Sequence, residues 1–260
     1  MKCIIKTRYK NLKKEIKHFL RKKGFDKYFS TRARLARKYL SGTGLEIGAR
    51  QSPLITPKRA KVEYVDIVSR EESISQFSEL EAELVVHVDH IADGFTLDSF
   101  KSDSYDFLIA NHVLEHSPNP IEVLQNWFRV LKKGGILFCT LPIAEKTFDR
   151  GRDLTSINHF LDDFKSYQNN NLSKIKENNL EHYKEWLNIS LFNSTGKKIP
   201  NIEEKAKEYS EANHEVHYHT FSSHSFIELL EECSGTHLQK LKVLASEGKK
   251  NEVITVSKKL

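Results

Sequence analysis

The chain has 260 residues, 38% hydrophobic and 29% charged, which is enough for one sizeable domain with an elaboration. It contains no run of about 18 apolar residues that could span a bilayer, and its lysine-rich start lacks the apolar segment of a signal peptide. The three cysteines, Cys3, Cys139 and Cys233, lie far apart, which excludes a disulfide framework and a paired cysteine zinc site. We therefore expect a cytoplasmic protein.

Charge is distributed unevenly along the chain. Residues 1–40 hold fifteen Lys or Arg against two acidic residues, a net +13, so the rest of a chain whose total is +6 carries −7. Within this basic run, apolar side chains recur at helical spacing: Tyr9, Leu12, Ile16, Phe19 and Leu20. The pattern predicts a basic N-terminal helix. Its two interpretations are packing on the domain with solvated lysines, and attachment to anionic lipid or another polyanion.

From residue 44 to residue 142, short apolar runs alternate with helix-like stretches, which is typical of a parallel sheet covered by helices. Strands are predicted over residues 44–47, 63–66, 84–88, 105–110 and 135–141. A helix is predicted over residues 120–131, where apolar side chains follow a period of 3.6 and Gly134 and Gly135 come after it.

Residues 165–213 are rich in Asn, Lys and Glu and predict a helical insertion, which we interpret as a cap over the substrate. After it, a helix is expected from Ser222, followed by strands over residues 238–244 and 251–256 that are joined by a hairpin. The main domain would then comprise residues 41–164 and 214–260, with residues 1–40 as an N-terminal extension.

Acidic residues and glycines follow the predicted strands at the positions where parallel sheets bind ligands. Glu46 and Gly48 stand at the first turn, but Arg50 occupies the place of the second glycine in the dinucleotide-binding pattern, so a dinucleotide is disfavoured. Asp66 ends the second strand, where a carboxylate can accept both hydroxyls of a ribose.

Three further segments continue this series. Asp93-Gly-Phe-Thr-Leu97 follows the third predicted strand, Asn111-His-Val-Leu-Glu-His116 follows the fourth, and Arg129-Val-Leu-Lys-Lys-Gly-Gly135 precedes the fifth. In this order the set resembles the class I S-adenosylmethionine-dependent methyltransferases over roughly residues 42–142. The resemblance implies a Rossmann-like fold with a mostly parallel seven-stranded sheet whose last strand is antiparallel, and S-adenosyl-L-methionine as the cofactor.

The resemblance also implies roles for single residues. Glu46 and Gly48 would border the methionine part, Asp66 would hold the ribose, and Asp93 with Gly94 would meet the adenine edge. Asn111 and His112 would lie beside the sulfonium. Because Arg50 replaces a loop glycine, its backbone or Ser52 would hold the amino-acid end of the cofactor. Asp89 competes with Asp93, and the four-residue offset to Leu97 favours Asp93.

A closer resemblance involves four segments, namely residues 44–53, 147–152, 155–159 and 217–221. They are similar to a bacterial subgroup of these methyltransferases that is associated with capsule and other surface-polysaccharide assembly. The implied reaction is O-methylation of a sugar or of a phosphoramidate-type or phosphate-type acceptor.

The acceptor side is expected between residues 148 and 163 and between residues 214 and 221. A hydroxyl must lose its proton during or after attack, and histidine titrates in the suitable range. His159, His219 and His112 are the candidate catalytic residues, whereas Glu115 and His116 are expected to brace the start of a helix. Arg150, Arg152 and His217 are the candidate substrate-binding residues, with ion pairs to neighbouring aspartates as the alternative for the arginines.

A metal site is considered because His217 and His219 are spaced by two, which would direct both side chains to one face of a strand. His159 or Asp163 could complete a set, but histidines packed by hydrogen bonds are commoner than ligands, so no metal is predicted.

Two other functions remain open at this point. One is a methyltransferase-like binding protein without turnover, because the loop at Arg50 departs from the family pattern. The other, ranked last, is a nucleic-acid methyltransferase, which the basic N-terminus favours but which lacks the expected Asn-Pro-Pro-Tyr-like segment after the fourth strand. A small-molecule or glycan-precursor acceptor is therefore the predicted partner, and the oligomeric state is left open.

Overall fold

The computed structural model describes residues 30–260, which contain one sheet of seven strands. In chain order the strands are β1 Gly42–Ile47, β2 Ala60–Asp66, β3 His90–Ile91, β4 Tyr105–Asn111, β5 Leu131–Pro142, β6 Leu241–Lys249 and β7 Glu252–Lys259. Their order in the sheet is β3-β2-β1-β4-β5-β7-β6. β7 pairs antiparallel with both β5 and β6, whereas the other neighbours are parallel. The predicted sheet, with its antiparallel last strand, is confirmed.

Helices lie on both faces of the sheet. They are α1 Thr31–Tyr39, α2 Arg70–Gln76, α3 Pro120–Val130, α4 Ile157–Gln168, α5 Leu172–Glu185, α6 Leu191–Thr195, α7 Ile202–Glu211 and α8 Ser225–Cys233. The helix predicted from Pro120 is confirmed. The helix predicted from Ser222 begins three residues later, at Ser225, whose backbone N–H donates to the Ser222 hydroxyl.

The core has two layers because successive side chains of a strand point to opposite faces. In β4, Leu108 and Ala110 face the layer that contains α3, α4 and α8, where Trp127 is buried. Phe107 and Ile109 face the other layer, against which α1 packs Leu35, Ala36 and neighbouring side chains. The end of the basic segment is therefore part of the domain's core.

The third strand is where the prediction for residues 84–88 is wrong. A short 3-10 turn occupies Ala82–Leu84, and the strand comes later, at His90–Ile91. The Arg70 guanidinium donates to the carbonyls of Ala82 and Val85, at 2.6 and 2.9 Å, so these groups do not join a strand ladder. The apolar run in the sequence does not show that a distant side chain binds the backbone carbonyls that a neighbouring strand would otherwise use.

The last two strands are longer than predicted. β6 continues to Lys249 and β7 begins at Glu252, so only Lys250 and Asn251 connect them and the expected connection over residues 245–250 is mostly strand. Lys250 has φ 55°, which allows the sharp reversal. Glu252, the first residue of β7, pairs with Pro142 at the carboxyl end of β5 and so lies at the functional edge of the sheet.

The apolar stripe from Tyr9 to Leu20 lies outside the described residues. Among residues 30–260, none of the helices has the length and apolar character needed to cross a membrane.

Candidate functional site

A cavity of about 610 Å³ opens at the carboxyl ends of β1, β2 and β4. The strand order reverses between β1 and β4, and such a switch point is where open parallel sheets bind nucleotides. A second cavity, of about 350 Å³, adjoins it and shares Ile47, Gly48 and His112 with it. The combined space extends across the edge of the sheet, as an elongated ligand requires.

All eight residues predicted to bind the cofactor line one or both of these cavities. Six border the larger one, namely Gly48, Arg50, Asp66, Asp93, Gly94 and His112. Glu46 and Asn111 border the smaller one, together with Gly48, His112 and Ser52. The structure thus brings the predicted set together, while binding by each residue stays a prediction.

Glu46 is 1% exposed and is held at the bottom of the smaller cavity. Its carboxyl group accepts the backbone N–H of Leu54 at 2.8 Å and the side-chain amide of Asn111 at 3.3 Å. Burial raises the pKa of Glu46 to about 7, in spite of these hydrogen bonds. A cationic group that binds in this cavity would favour the ionised form of Glu46, which could then pair with it.

The turn after β1 uses positive φ angles at two positions. Gly48 has φ 64° and Arg50 has φ 44°, so Arg50 adopts the left-handed conformation that glycine adopts without strain. The Arg50 guanidinium lies 4.2 Å from the centre of the Phe77 ring and its Nε is 3.9 Å from Asp66 Oδ2. The arginine therefore lies at the β2 side of the cavity, and Ser52 lies nearer to Glu46.

Asp89 and Asp93 flank the third strand, and their contacts favour Asp93 as the cofactor-binding residue. Asp89 Oδ2 accepts the backbone N–H of Tyr64 at 2.8 Å, which braces β2. Asp93 lines the cavity, and its Oδ1 accepts the backbone N–H of Phe95 at 2.7 Å in a tight turn. Asp66 is 8% exposed, and its Oδ1 accepts the backbone N–H of Ile67, so Oδ2 is the atom available to a ligand.

His112 lies between two carboxylates. Its Nδ1 is 3.3 Å from Glu115 Oε1 and its Nε2 is 3.2 Å from Glu252 Oε2. Burial lowers the pKa of His112, but the hydrogen bonds to Glu115 and Glu252 outweigh it and raise the pKa to about 9. The ring is therefore a cation at neutral pH, which makes His112 a poor proton acceptor and does not support the catalytic role predicted for it.

Arg32 and Glu252 are residues of the site that the sequence did not reveal. Arg32, at the start of α1, lines the smaller cavity and donates to the Glu252 carboxylate. Burial raises the pKa of Glu252, but the hydrogen bonds from His112 and Arg32 outweigh it and lower the pKa to about 2. No local motif marks this pair because its members are 220 positions apart.

A family model described as a methyltransferase domain matches residues 19–233. The chain belongs to the methyltransferase domain family. It is an S-adenosylmethionine-dependent enzyme, as the motifs around Glu46, Asp66 and Asp93 predict.

Comparisons with single proteins are more distant. No curated protein matches the chain. Among solved structures, a SAM dependent methyltransferase from Aquifex aeolicus is 13% identical, with a TM-score of 0.46 and 91% of this chain and 93% of that chain covered. One from Mesorhizobium loti is 10% identical, with a TM-score of 0.48 and coverages of 90% and 100%. The CurJ carbon methyltransferase is 16% identical, with a TM-score of 0.41. The match covers 85% of this chain but only 49% of the CurJ chain, so this chain spans about half of its length.

On the acceptor side of the methyltransferase, His116 and His214 lie in the cavity wall, together with Pro118, Asn213 and Tyr218. His116 Nδ1 lies 3.0 Å from the backbone carbonyl of Val216. Burial lowers the pKa of His116, so the ring is neutral at pH 7. A neutral ring must donate from Nδ1 to that carbonyl, which leaves the lone pair on Nε2.

Two of the three predicted catalytic histidines lie outside the cavity. His159 and His219 do not border the cavity; they meet in a separate cluster with Asp163 and His182. His219 is fully buried, so an acceptor cannot reach it. The sequence placed these histidines in the right segments, but the direction of each side chain depends on tertiary packing.

Arg152 forms an ion pair with Asp149 inside the protein, which is the alternative to substrate binding that the sequence left open. It is 4% exposed, and all five of its N–H donors meet protein acceptors: the carboxylates of Asp149 and Glu185 and the backbone carbonyls of His217 and Tyr218. No donor is left for a substrate, so we do not retain Arg152 as a substrate-binding residue.

His217 belongs to the same network. It is 8% exposed, and its Nδ1 lies 2.6 Å from Asp149 Oδ2. Its ring contacts the rings of His116, at a centroid distance of 4.8 Å, and Phe148. His217 thus supports the wall of the site through His116. Arg150 is exposed and outside the cavity, so its predicted contact with a substrate stays a prediction.

Proposed function

We propose that the enzyme O-methylates an acceptor that enters the larger cavity from the side of residues 213–218, with His116 as the general base. The observation that carries this proposal is the position of a neutral imidazole in the same cavity wall as Asp66, Asp93 and Gly48. When bound, S-adenosylmethionine supplies a methyl group on a cationic sulfur.

The residues have separate tasks in this scheme. Asp66 and Asp93 hold the nucleoside part at the β2 and β3 side, while the wall around His116 positions the acceptor. With S-adenosylmethionine bound, His116 Nε2 would receive the proton of an acceptor hydroxyl as that oxygen takes the methyl group, and S-adenosylhomocysteine would be left. A phosphate-type oxygen, which is already ionised, would need no base. Such transfer requires in-line positioning and exclusion of water, which a lined cavity provides.

We further propose that residues 165–213 form the cap over the acceptor. Their helices have a small core of their own, in which Tyr183, Leu187 and Ala206 pack against Val216 and Tyr218. Tyr218 also lines the cavity, and its hydroxyl lies 2.6 Å from that of Tyr183. Any movement of the helical unit would therefore reach the acceptor wall directly.

The proposed acceptor is a sugar hydroxyl, or a phosphoramidate-type or phosphate-type oxygen, of a capsule or other surface-polysaccharide precursor. What supports it is the resemblance of the segments around Arg150 and His217 to that subgroup of methyltransferases. Exposed Arg150 and residues 1–40 would favour an anionic precursor at the inner face of the membrane, which would make the enzyme a peripheral cytoplasmic protein.

The test is formation of S-adenosylhomocysteine with a panel of nucleotide sugars, sugar phosphates and phosphoramidates. With an accepted substrate, the rate of the wild-type enzyme should fall at acidic pH as His116 becomes protonated, and the fall should lie below the ordinary histidine pKa because burial lowers the pKa of His116. His116→Gln should retain binding of S-adenosylmethionine and lose at least about 100-fold in rate. His224→Gln, at an exposed histidine that immediately precedes α8, is the matched control. Full activity of His116→Gln would refute the role of the base, and turnover on nucleic acid alone would refute the acceptor class.

A further inference from the structure

Four side chains from three parts of the chain converge in a cluster next to the acceptor wall. His159 and Asp163 come from α4, His182 from α5, and His219 from the segment before α8. One ligand atom from each lies within 4.8 Å of the others. The methyl transfer derived above uses none of these residues, so the cluster needs an explanation of its own.

The spacing of the four atoms is that of a coordination shell. Asp163 Oδ2 lies 3.2 Å from His159 Nε2, 3.6 Å from His182 Nε2 and 3.8 Å from His219 Nε2. The Nε2 atoms of His159 and His182 are 3.3 Å apart. Ligands about 2.0 Å from a tetrahedral zinc ion are separated by about 3.3 Å, so the observed distances need only small adjustments.

Hydrogen bonding, such as that between His159 and His182, accounts for only part of this arrangement. Asp163 is 2% exposed, and within residues 30–260 its Oδ2 has no hydrogen-bond partner of good geometry. His219 is fully buried, and its Nε2 is 3.5 Å from the Pro118 carbonyl, the outer limit of a hydrogen bond. A buried carboxylate oxygen without a partner is costly, and a cation at the centre of the cluster would remove that cost.

The surroundings fix the cluster in place. Asn178 donates its side-chain amide to Asp163 Oδ1 at 2.7 Å, which directs Oδ2 towards the three imidazoles. The His219 ring packs on Phe160, with centroids 4.8 Å apart, and the His182 ring contacts Tyr218 at 5.7 Å. Outer contacts of this kind orient the ligands of metal sites.

We propose that His159, Asp163, His182 and His219 bind one Zn²⁺ ion in a closed tetrahedral site. Three imidazoles and one carboxylate suit zinc, and four protein ligands are typical of a structural site. The ion would join α4 and α5 to the segment that carries Tyr218, and so fasten the helical unit to the wall of the cavity. From the sequence, His219 with His159 or Asp163 was weighed as part of a metal set and no metal was predicted. His182 was missed because it lies in an Asn-rich and Glu-rich stretch without a metal-binding spacing.

The test uses the full chain without a histidine tag, stripped by a chelator and then titrated with Zn²⁺ alone. Zinc content is measured by plasma mass spectrometry, stability by thermal unfolding, and ligand geometry by the visible spectrum of the Co²⁺-loaded protein. His159→Gln and His182→Gln remove one ligand each. His224→Gln is the control because it removes an exposed histidine outside the cluster. Binding of S-adenosylmethionine reports whether each variant is folded.

We expect one zinc per chain, a higher Tm with Zn²⁺, and the intense visible bands of tetrahedral Co²⁺. His159→Gln should weaken zinc binding by at least about tenfold and His224→Gln should not. If His182→Gln fails to fold, His159→Gln decides the matter, since that ligand is at the surface. Absence of stoichiometric zinc binding, or binding that survives His159→Gln unchanged, would overturn the proposal.

Discussion

Glu46 shows how one buried carboxyl group links the site to stability. Burial raises its pKa from 4.5 to about 7 in the folded chain. Its favourable contribution is therefore complete below pH 4.5 and is lost as the pH rises through 7, because the folded state then has to bury a charge.

Glu46→Gln should remove this loss, since an amide keeps the oxygen that accepts the Leu54 N–H and has no proton to release. Above pH 7 we expect the variant to be more stable than the wild type by on the order of 3 kcal/mol. Urea unfolding at pH 5 and at pH 8 measures the difference. Parallel pH profiles for the two proteins would contradict the assigned pKa.

The high pKa of His112 depends on its second carboxylate. Glu252→Gln should lower it from about 9 towards its ordinary value, by about one unit or more. Ring NMR signals followed from pH 6 to pH 10 report the titration. Glu247→Gln is the matched control, because Glu247 lies on the same hairpin and pairs with Arg34 instead. An unchanged His112 pKa in Glu252→Gln would refute the coupling.

The residues of the cofactor cavity could be predicted because each of them follows a strand in chain order. The ends of parallel strands meet at one edge of a sheet, so Glu46, Asp66 and Asn111 come together once the strands are placed. Arg32 and Glu252 could not be assigned in this way, because their pairing spans 220 positions and leaves no local pattern in the sequence. His116 lies in the motif after the fourth strand but was expected to brace a helix, because its place in the cavity wall and its lowered pKa depend on tertiary packing.

At the scale of elements, Arg152 connects three of them. It joins the loop after β5, through Asp149, to the end of α5 at Glu185 and to the backbone of residues 217 and 218. A π-helical turn over Trp186–Ser190 adds the Ser190 hydroxyl, which donates to Asp149 Oδ1 at 2.6 Å. Without Arg152, Asp149, Glu185 and two backbone carbonyls would each lose a hydrogen-bond donor.

Arg152→Gln should therefore destabilise the protein by about 3–5 kcal/mol, the cost of breaking a buried ion pair. Arg150→Gln, two positions away and exposed, should change stability by no more than about 0.5 kcal/mol. Chemical denaturation of both variants provides the comparison. Equal and small effects would mean that the Arg152 network is not holding the helical unit to the domain.

Elements with a regular apolar pattern could be predicted from the sequence. Elements whose position depends on side chains that bind backbone groups could not. The helix from Pro120 buries one regular apolar face, and β4 contains the buried apolar run of residues 107–110. β3 has only two residues. Its position depends on hydrogen bonds from side chains to the backbone, in which Arg70 donates to the Val85 carbonyl and Asp89 accepts the Tyr64 N–H.

At the scale of the whole molecule, charge separates the chain into a basic start and an acidic remainder. Residues 1–40 carry +13 and the rest −7, so the net charge of the first part favours contact with an anionic surface. We expect the full chain to sediment with vesicles of anionic lipid, and a chain lacking residues 1–29 to stay in solution. Binding of the full chain should weaken with salt. Equal sedimentation of both chains would refute the membrane contact and favour the interpretation with solvated lysines.

The central claim is that S-adenosylmethionine binds at the carboxyl edge of the sheet, with Asp66 on its ribose. Isothermal titration of the full chain with S-adenosylmethionine tests it most directly. Asp66→Asn should weaken binding by at least about tenfold, because a charged acceptor of ribose hydroxyls is lost. Asp89→Asn, which keeps an oxygen for the Tyr64 N–H, should bind like the wild type. Wild-type affinity in Asp66→Asn, or an equal loss in Asp89→Asn, would contradict the site.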